Sequence, residues 1–224
     1  MDALAIERNP ARSNAAGEPP SSPAPAAANA RSLSGEKAQR IVEAMRRSVA
    51  RRGTAGSTFD HVSREAGVSR GLLHYYFGTK EQLLVEAVRR DCELRMEMLQ
   101  SQLSQAQTAD AFIDLMAQNL QDTVREDPDF VTLIFELFTL SRRNGEIAVE
   151  FAELMRRTRE QVAGLLDVGQ REGILRLHAE PEAVAEILFS LADGFALRML
   201  AEPGRDFTAT VDAGIACARA LLTD

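Results

Sequence analysis

Residues 58–80, TFDHVSREAGVSRGLLHYYFGTK, restrict the fold of this chain more than any other stretch. The spacing predicts a short helix over about 59–66, with Val62 and Ala66 on one face. Gly67 stands where a helix C-terminus needs a left-handed residue, because without a Cβ it enters that conformation freely. Val68 is apolar and fits the angle between two helices. Ser69 is placed to cap a second helix over about 70–76, its hydroxyl accepting a free backbone N–H. The small side chains of Ser63 and Ala66 allow close approach. Two helices around a glycine turn, with another starting after Thr79, make a helix-turn-helix, the motif that offers its second helix to the DNA major groove.

The run GVSRGLLHYYFGTKEQLL, preceded by a helix ending near RRG and then by TFDHVSREA, resembles the DNA-binding domain of the TetR family of bacterial transcriptional regulators. The likeness covers roughly residues 36–90, and the YF-G-T-K-E run in register with a further helix makes it specific. It implies an all-α fold of about nine helices, three short and then six longer. An N-terminal helix-turn-helix domain would be followed by a larger helical domain for ligand binding and dimerisation. It further implies a repressor that binds a palindromic operator as a homodimer and is released by a small-molecule effector. No cofactor, metal or catalytic residue is implied.

The net charge of −7 hides an asymmetry. Residues 36–80 carry nine Lys or Arg against four acids, a net of +5. Residues 98–224 carry eleven against twenty-one, a net of −10. Phosphate contacts depend on the local face, so the basic segment suits DNA and the acidic remainder would stay off it. No apolar run approaches the roughly 18 residues that span a bilayer, and the start lacks a basic end followed by an apolar stretch. Cys92 and Cys217 lie far apart, with neither pairing nor metal spacing, as suits a reducing cytoplasm.

Composition divides the chain into three parts. Residues 1–34, rich in Ala, Pro and Ser and of zero net charge, read as a disordered tail, with Arg31 close to the domain that follows. Residues 35–80 form the DNA-binding domain and 81–224 the sensing and dimerisation domain. A first helix over 36–52 is carried by Ile41, Ala44, Met45 and Val49, and Gly53 ends it. Thr58 caps the next helix. Thr79 caps a long one reaching about residue 100, carried by Leu83, Leu84, Ala87, Val88, Leu94 and Met98, with Thr79-Lys80-Glu81-Gln82 as a capping box. Further helices are expected over 109–126, 129–142, 146–171, 181–200 and 206–222, punctuated by Asp127-Pro128, Asn144-Gly145, Gly173 and Pro203-Gly204.

Candidate DNA contacts are Thr58, Ser69, Arg70, Gly71, Leu72, His74, Tyr75 and Lys80. Arg70 can fork onto guanine O6 and N7, or rest on a phosphate. Gly71 permits close backbone approach, or simply helix packing. Leu72 occupies a place where relatives often hold a polar residue; it can pack on a thymine methyl but cannot hydrogen-bond a base. The resemblance turns His74 and Tyr75 toward DNA and Tyr76 and Phe77 toward the domain, and Leu73 reads as core. Lys80, with the free N–H groups of a helix start, can hold a phosphate, matching the family's phosphate-clamping lysine. The backbone N–H of Thr58 can address another phosphate. Arg52 and Arg64 are weaker candidates, with solvated surface the simpler reading.

In the C-terminal part, the runs DPDFVTLIFELFTLSRRNGEI, LLDVGQREGILR and LADGFALRML resemble the branch typified by the choline-responsive regulator. Candidate ligand contacts are Phe112, Met116, Asn119, Phe135, Phe138 and Phe151, for each of which plain core is the simpler reading. Asn119 is the informative one, since a buried amide needs a partner that a ligand can supply. The absence of Trp gives little support for a cation-binding aromatic cage. Leu188, Leu191, Ala192, Phe195, Ala196 and Met199 are expected in a two-fold dimer interface built from the last two helices. Two other readings stay open: a helical protein–protein adaptor without DNA binding, and an all-α enzyme. Against the enzyme, His61, His74 and His178 are scattered and no recognisable catalytic motif is present.

Overall fold

The computed structural model describes residues 35–223. The tail over residues 1–34, including Arg31, lies outside the described residues. Among the described residues there are nine helices and no strand: α1 (Gly35–Gly56), α2 (Phe59–Ala66), α3 (Arg70–Phe77), α4 (Lys80–Leu103), α5 (Ala109–Glu126), α6 (Pro128–Ser141), α7 (Gly145–Arg171), α8 (Pro181–Ala201) and α9 (Thr208–Leu222). None is long and apolar enough to cross a membrane.

Local chemistry sets the ends. The hydroxyls of Thr58, Ser69, Thr79 and Thr108 accept from the backbone N–H three residues on, each relieving an orphan donor of a first turn. Gly53 breaks α1 with φ 66°, ψ 172°, so its regular part ends where the sequence predicts. Gly67 ends α2 in the left-handed conformation, φ 65°, ψ 38°. Asp127 caps α6 by accepting from Phe130 N–H at 3.2 Å, which lets Pro128 take a first-turn place where it has no N–H to lose. The final helix starts at Thr208 rather than Asp206, whose carboxylate instead accepts from Thr208 N–H at 2.9 Å.

Two cores follow one another along α4. The first joins Ile41, Met45 and Val49 of α1 to Phe59, Val62, Leu73 and Phe77, and to Leu83, Leu84 and Val88 of α4. It also takes Leu133 and Leu137 from α6 and Ile147 and Leu154 from α7, so the sensor helices close the underside of the DNA-binding half. The second gathers Met96, Leu99 and Leu103 of α4 with Phe112, Ile113, Val162, Leu166, Val184 and Leu222. Leu94 and Met98, expected to carry α4, are instead 52% and 60% exposed. The buried line of α4 passes through Asp91, Cys92 and Met96, because the helix is covered by α1 on one side and α7 on another.

Candidate DNA interface and ligand cavity

The recognition helix α3 is two-faced. Leu73 is fully buried and Phe77 nearly so, while Arg70, Gly71, His74 and Tyr75 are exposed. Tyr75 is 69% exposed, high for an aromatic ring, and meets Tyr76 edge-on at 4.9 Å between ring centroids. Arg70 reaches Asp60 of α2 at 3.4 Å and the His74 ring nitrogen at 3.4 Å, both in solvent. Such exposed contacts hold the guanidinium weakly and leave it free to re-aim. His74 rests edge-on against Phe59 at 4.7 Å, which fixes its ring on the α2 side. A Cβ placed on Gly71 would meet nothing within 4 Å, so packing within this chain does not require glycine there. Leu72 departs from the expected DNA face: it is half-buried against the first core.

Lys80 opens α4 as the sequence predicts, yet its ammonium donates to the Thr54 carbonyl at 2.8 Å. Thr54 in turn gives its N–H at 3.2 Å, and its hydroxyl, to Glu136 of α6. The last turn of α1, beyond the break at Gly53, is therefore pinned from both sides, by α4 and by a sensor helix. Arg64 stays exposed and donates to the Asp60 carbonyl at 3.1 Å, and Arg52 is exposed.

Between the two cores, α4 to α8 line a cavity of about 340 Å³ that is open to solvent on one side. Met116, Asn119 and Phe135 line it as expected, beside Phe130, Ile134, Met155 and Phe189. Three expected contacts do not line it. Phe112 is 3% exposed inside the second core. Phe138 of α6 and Phe151 of α7 face each other at 6.0 Å instead, Phe151 packed on the first core and Phe138 about half exposed. The cavity's charged groups, Arg95, Arg159, Glu186 and Asp193, escaped sequence reading because ordinary surface helices carry the same residues. Arg159 pairs with Glu186 at 3.3 Å. Asp193, surrounded by protein though open to solvent, has its carboxyl raised above the usual range, first by desolvation and then by Glu186. Cys92 on the wall is pushed up to about 12 by burial and by neighbouring Asp91.

The cavity touches a buried charge cluster. Arg46 of α1 meets Asp91 of α4 at 2.8 Å and also bonds Asp127, which Arg95 bonds as well. Burial works against the Arg46 charge, but Asp91 and Asp127 outweigh it and leave the guanidinium above its ordinary value. Burial raises the Asp91 carboxyl despite the pull of Arg46 and Arg95. No group of metal-binding side chains occurs among the described residues.

The residues named for a dimer interface are partly buried beside α5 and α9. Leu188, Leu191, Ala192, Phe195 and Met199 line a second, smaller cleft of about 110 Å³ between α5, α8 and α9 of the same chain. Phe195 lies so close to Gly214 that a Cβ there would stand 2.6 Å from its ring, while Ala196 is buried in a small third core. The outward face of α8 carries Ala183, Ile187, Ser190, Gly194, Leu197 and Ala201, and that of α9 carries Ala209, Ala213, Ala216 and Ala220.

This arrangement can now be set beside known proteins. Residues 41–87 match the bacterial regulatory proteins of the tetR family, and residues 110–224 match the C-terminal part of BetI-type transcriptional repressors. The chain belongs to the TetR family. Its members are transcriptional regulators with a helix-turn-helix, not enzymes. The regulator BetI of Agrobacterium fabrum is 45% identical over 49 residues, which span 22% of this chain and 24% of that protein. The fold is shared with FadR of Bacillus subtilis, solved with stearoyl-CoA (TM-score 0.68, 18% identity, 80% of this chain and 96% of that one). It is shared too with a regulator from Saccharomonospora viridis solved with choline (TM-score 0.64, 23% identity, 83% and 97%).

Proposed function

We propose that this TetR-family protein is a repressor that binds a palindromic operator as a homodimer and leaves it when a small molecule fills the cavity between α4 and α8. The observation that carries the reading is the outer face of α3. Arg70, Gly71, His74 and Tyr75 stand exposed on a short helix whose other face is locked into a core. A rigid helix presenting a guanidinium, a bare backbone and a phenol suits the major groove.

The effector site is the 340 Å³ cavity, of a size suited to a small, mostly apolar molecule. Stearoyl-CoA and choline differ so widely that the fold leaves ligand choice to the lining residues. The dimer forms through the outward faces of α8 and α9. Ile187 and Leu197 are about half exposed there, and Gly194, Ala213 and Ala216 let helices approach closely. Leu188, Leu191 and Phe195 support those faces from behind.

A gel shift with fragments from around the gene tests the reading. One fragment should shift at two protomers per palindrome, and scrambling either half-site should abolish the shift. Binding of equal strength to every fragment would overturn the operator assignment.

A further inference from the structure

Arg95 stands where the two halves of the molecule meet. Its side chain lines the cavity, with the guanidinium 4.0 Å from the Phe130 ring centroid and 3.3 Å from the Thr123 hydroxyl. Its one ion pair among the described residues is with Oδ2 of Asp127, and that same oxygen also takes Arg46 of α1. One carboxylate oxygen thus serves two guanidiniums, one from each half.

The two arginines are not equally provided for. Arg46 has a second acid, Asp91, at 2.8 Å. Arg95 has no second acid within ion-pair distance among the described residues; Nε of both arginines is buried without a hydrogen bond, but only that of Arg46 has a carboxylate beside it. A guanidinium only donates, so its complement is an oxygen acceptor. Arg95 is therefore the member of the cluster with bonding capacity to spare, and it sits on the cavity wall.

We propose that Arg95 reads the effector and Asp127 relays the reading: an effector oxygen, as in a carboxylate or carbonyl, draws Arg95 off Asp127 and so resets Arg46 and α1. The inference rests on the reading of the cavity as the effector site. The path onward is short. Asp127 caps α6, and α6 also holds Thr54 through Glu136. Thr54 carries the carbonyl on which Lys80 rests. A changed first turn of α6 therefore moves α1 both at Arg46 and at its last turn beneath the DNA face. Two-state elements biased from both ends are what coupling requires.

The test uses the full-length protein and its shifted fragment. Arg95→Met keeps the stem on Phe130 and removes the donors; Arg95→Gln serves if the Met variant melts early. Asp127→Asn removes the charge but still caps α6, since Asn caps as well as Asp. Without any ligand, Arg95→Met should weaken operator binding about 5-fold or more, within the usual range of coupling. In the Asp127→Asn background the same substitution should change it by less than about twofold. Hydrogen exchange should quicken in α1 around Arg46. No loss, or equal loss in both backgrounds, overturns the relay.

Octanoate, an apolar chain with a carboxylate, probes the ligand class. It should weaken operator binding by the wild type and not by Arg95→Met, while octyltrimethylammonium should do neither. Octanoate acting on neither protein, or alike on both, or the ammonium acting in its place, overturns the ligand assignment. In each of these failures the wild type still shifts its fragment; loss of that shift would instead sink the DNA reading itself.

Discussion

Around α1 to α3, Ile41, Met45, Val49, Val62 and Leu73 have no exposed surface and join one core. Between α4 and α8, helices of similar composition leave about 340 Å³ open and put charged groups on the wall. A filled core fixes a binding face to within the tolerance that a groove demands. A hollow one gives up packing energy and gains two ways of closing. The contrast is sharpest on α4, which belongs to both: residues before Cys92 sit in the first core and those from Met96 onward in the second. Asp91 and Arg95 mark the change.

The largest expected effect breaks that contrast directly. Leu73→Ala should cost about 2–5 kcal/mol in urea unfolding, since α3 cannot collapse into the gap. Met116→Ala, on the cavity wall, should cost clearly less, because its atoms already face open space on one side. Equal losses would mean that the cavity is closed in solution.

On the DNA face, Arg70→Ala should lose about 1–3 kcal/mol on operator DNA and little on random DNA, as a bidentate base contact does. Asp60 is its only ion-pair partner among the described residues, at 3.4 Å and well exposed, so the fold should be untouched. An equal loss on both DNAs would reduce Arg70 to a phosphate contact and move readout to Tyr75 or DNA shape.

Lys80→Ala sharpens a point that the structure raised. As a phosphate contact, its loss should lower the salt slope by about one on every DNA. As a latch on Thr54, its loss should weaken binding with the slope unchanged. Filter binding across salt concentrations separates the two, and we expect the lowered slope.

The smallest effect is a labelling difference. At pH 8 a maleimide should modify Cys217, which is exposed on α9, and spare Cys92, whose thiol burial pushes to about 12. The proposed dimer through the outward faces of α8 and α9 requires labelling of Cys217 to slow with rising protein concentration. A rate independent of concentration would place the interface elsewhere.

Much of this could be read directly from the chain. Thr58, Ser69 and Thr79 cap their helices as expected, Gly53 and Gly67 end theirs, and Pro181 opens another, while Pro128, expected between two helices, opens the second of them. Each depends on contacts within a few residues, where composition and spacing are sufficient information. The same holds for the exposed Arg70, His74 and Tyr75, which the eight residues of α3 set opposite Leu73 and Phe77. The cavity was half legible: Met116, Asn119 and Phe135 line it, whereas Phe112, Phe138 and Phe151 do not. All six are apolar or amide groups on periodic helix faces, and periodicity says that a face is covered without saying by what.

The amino-acid order therefore determined the helices, their caps, the turn before α3 and the basic charge of the DNA-binding half, because these follow from short-range sterics, hydrogen bonding and local charge. Tertiary structure alone decided which apolar faces meet. It turned Phe195 inward onto Gly214, buried Leu72 partway, and left Leu94 and Met98 in solvent. It also brought Arg46, Asp91, Arg95 and Asp127 together from two helices and a cap, a cluster with no signature in sequence. Helix crossing sets such long-range pairings, and many crossings satisfy the same pattern of apolar residues.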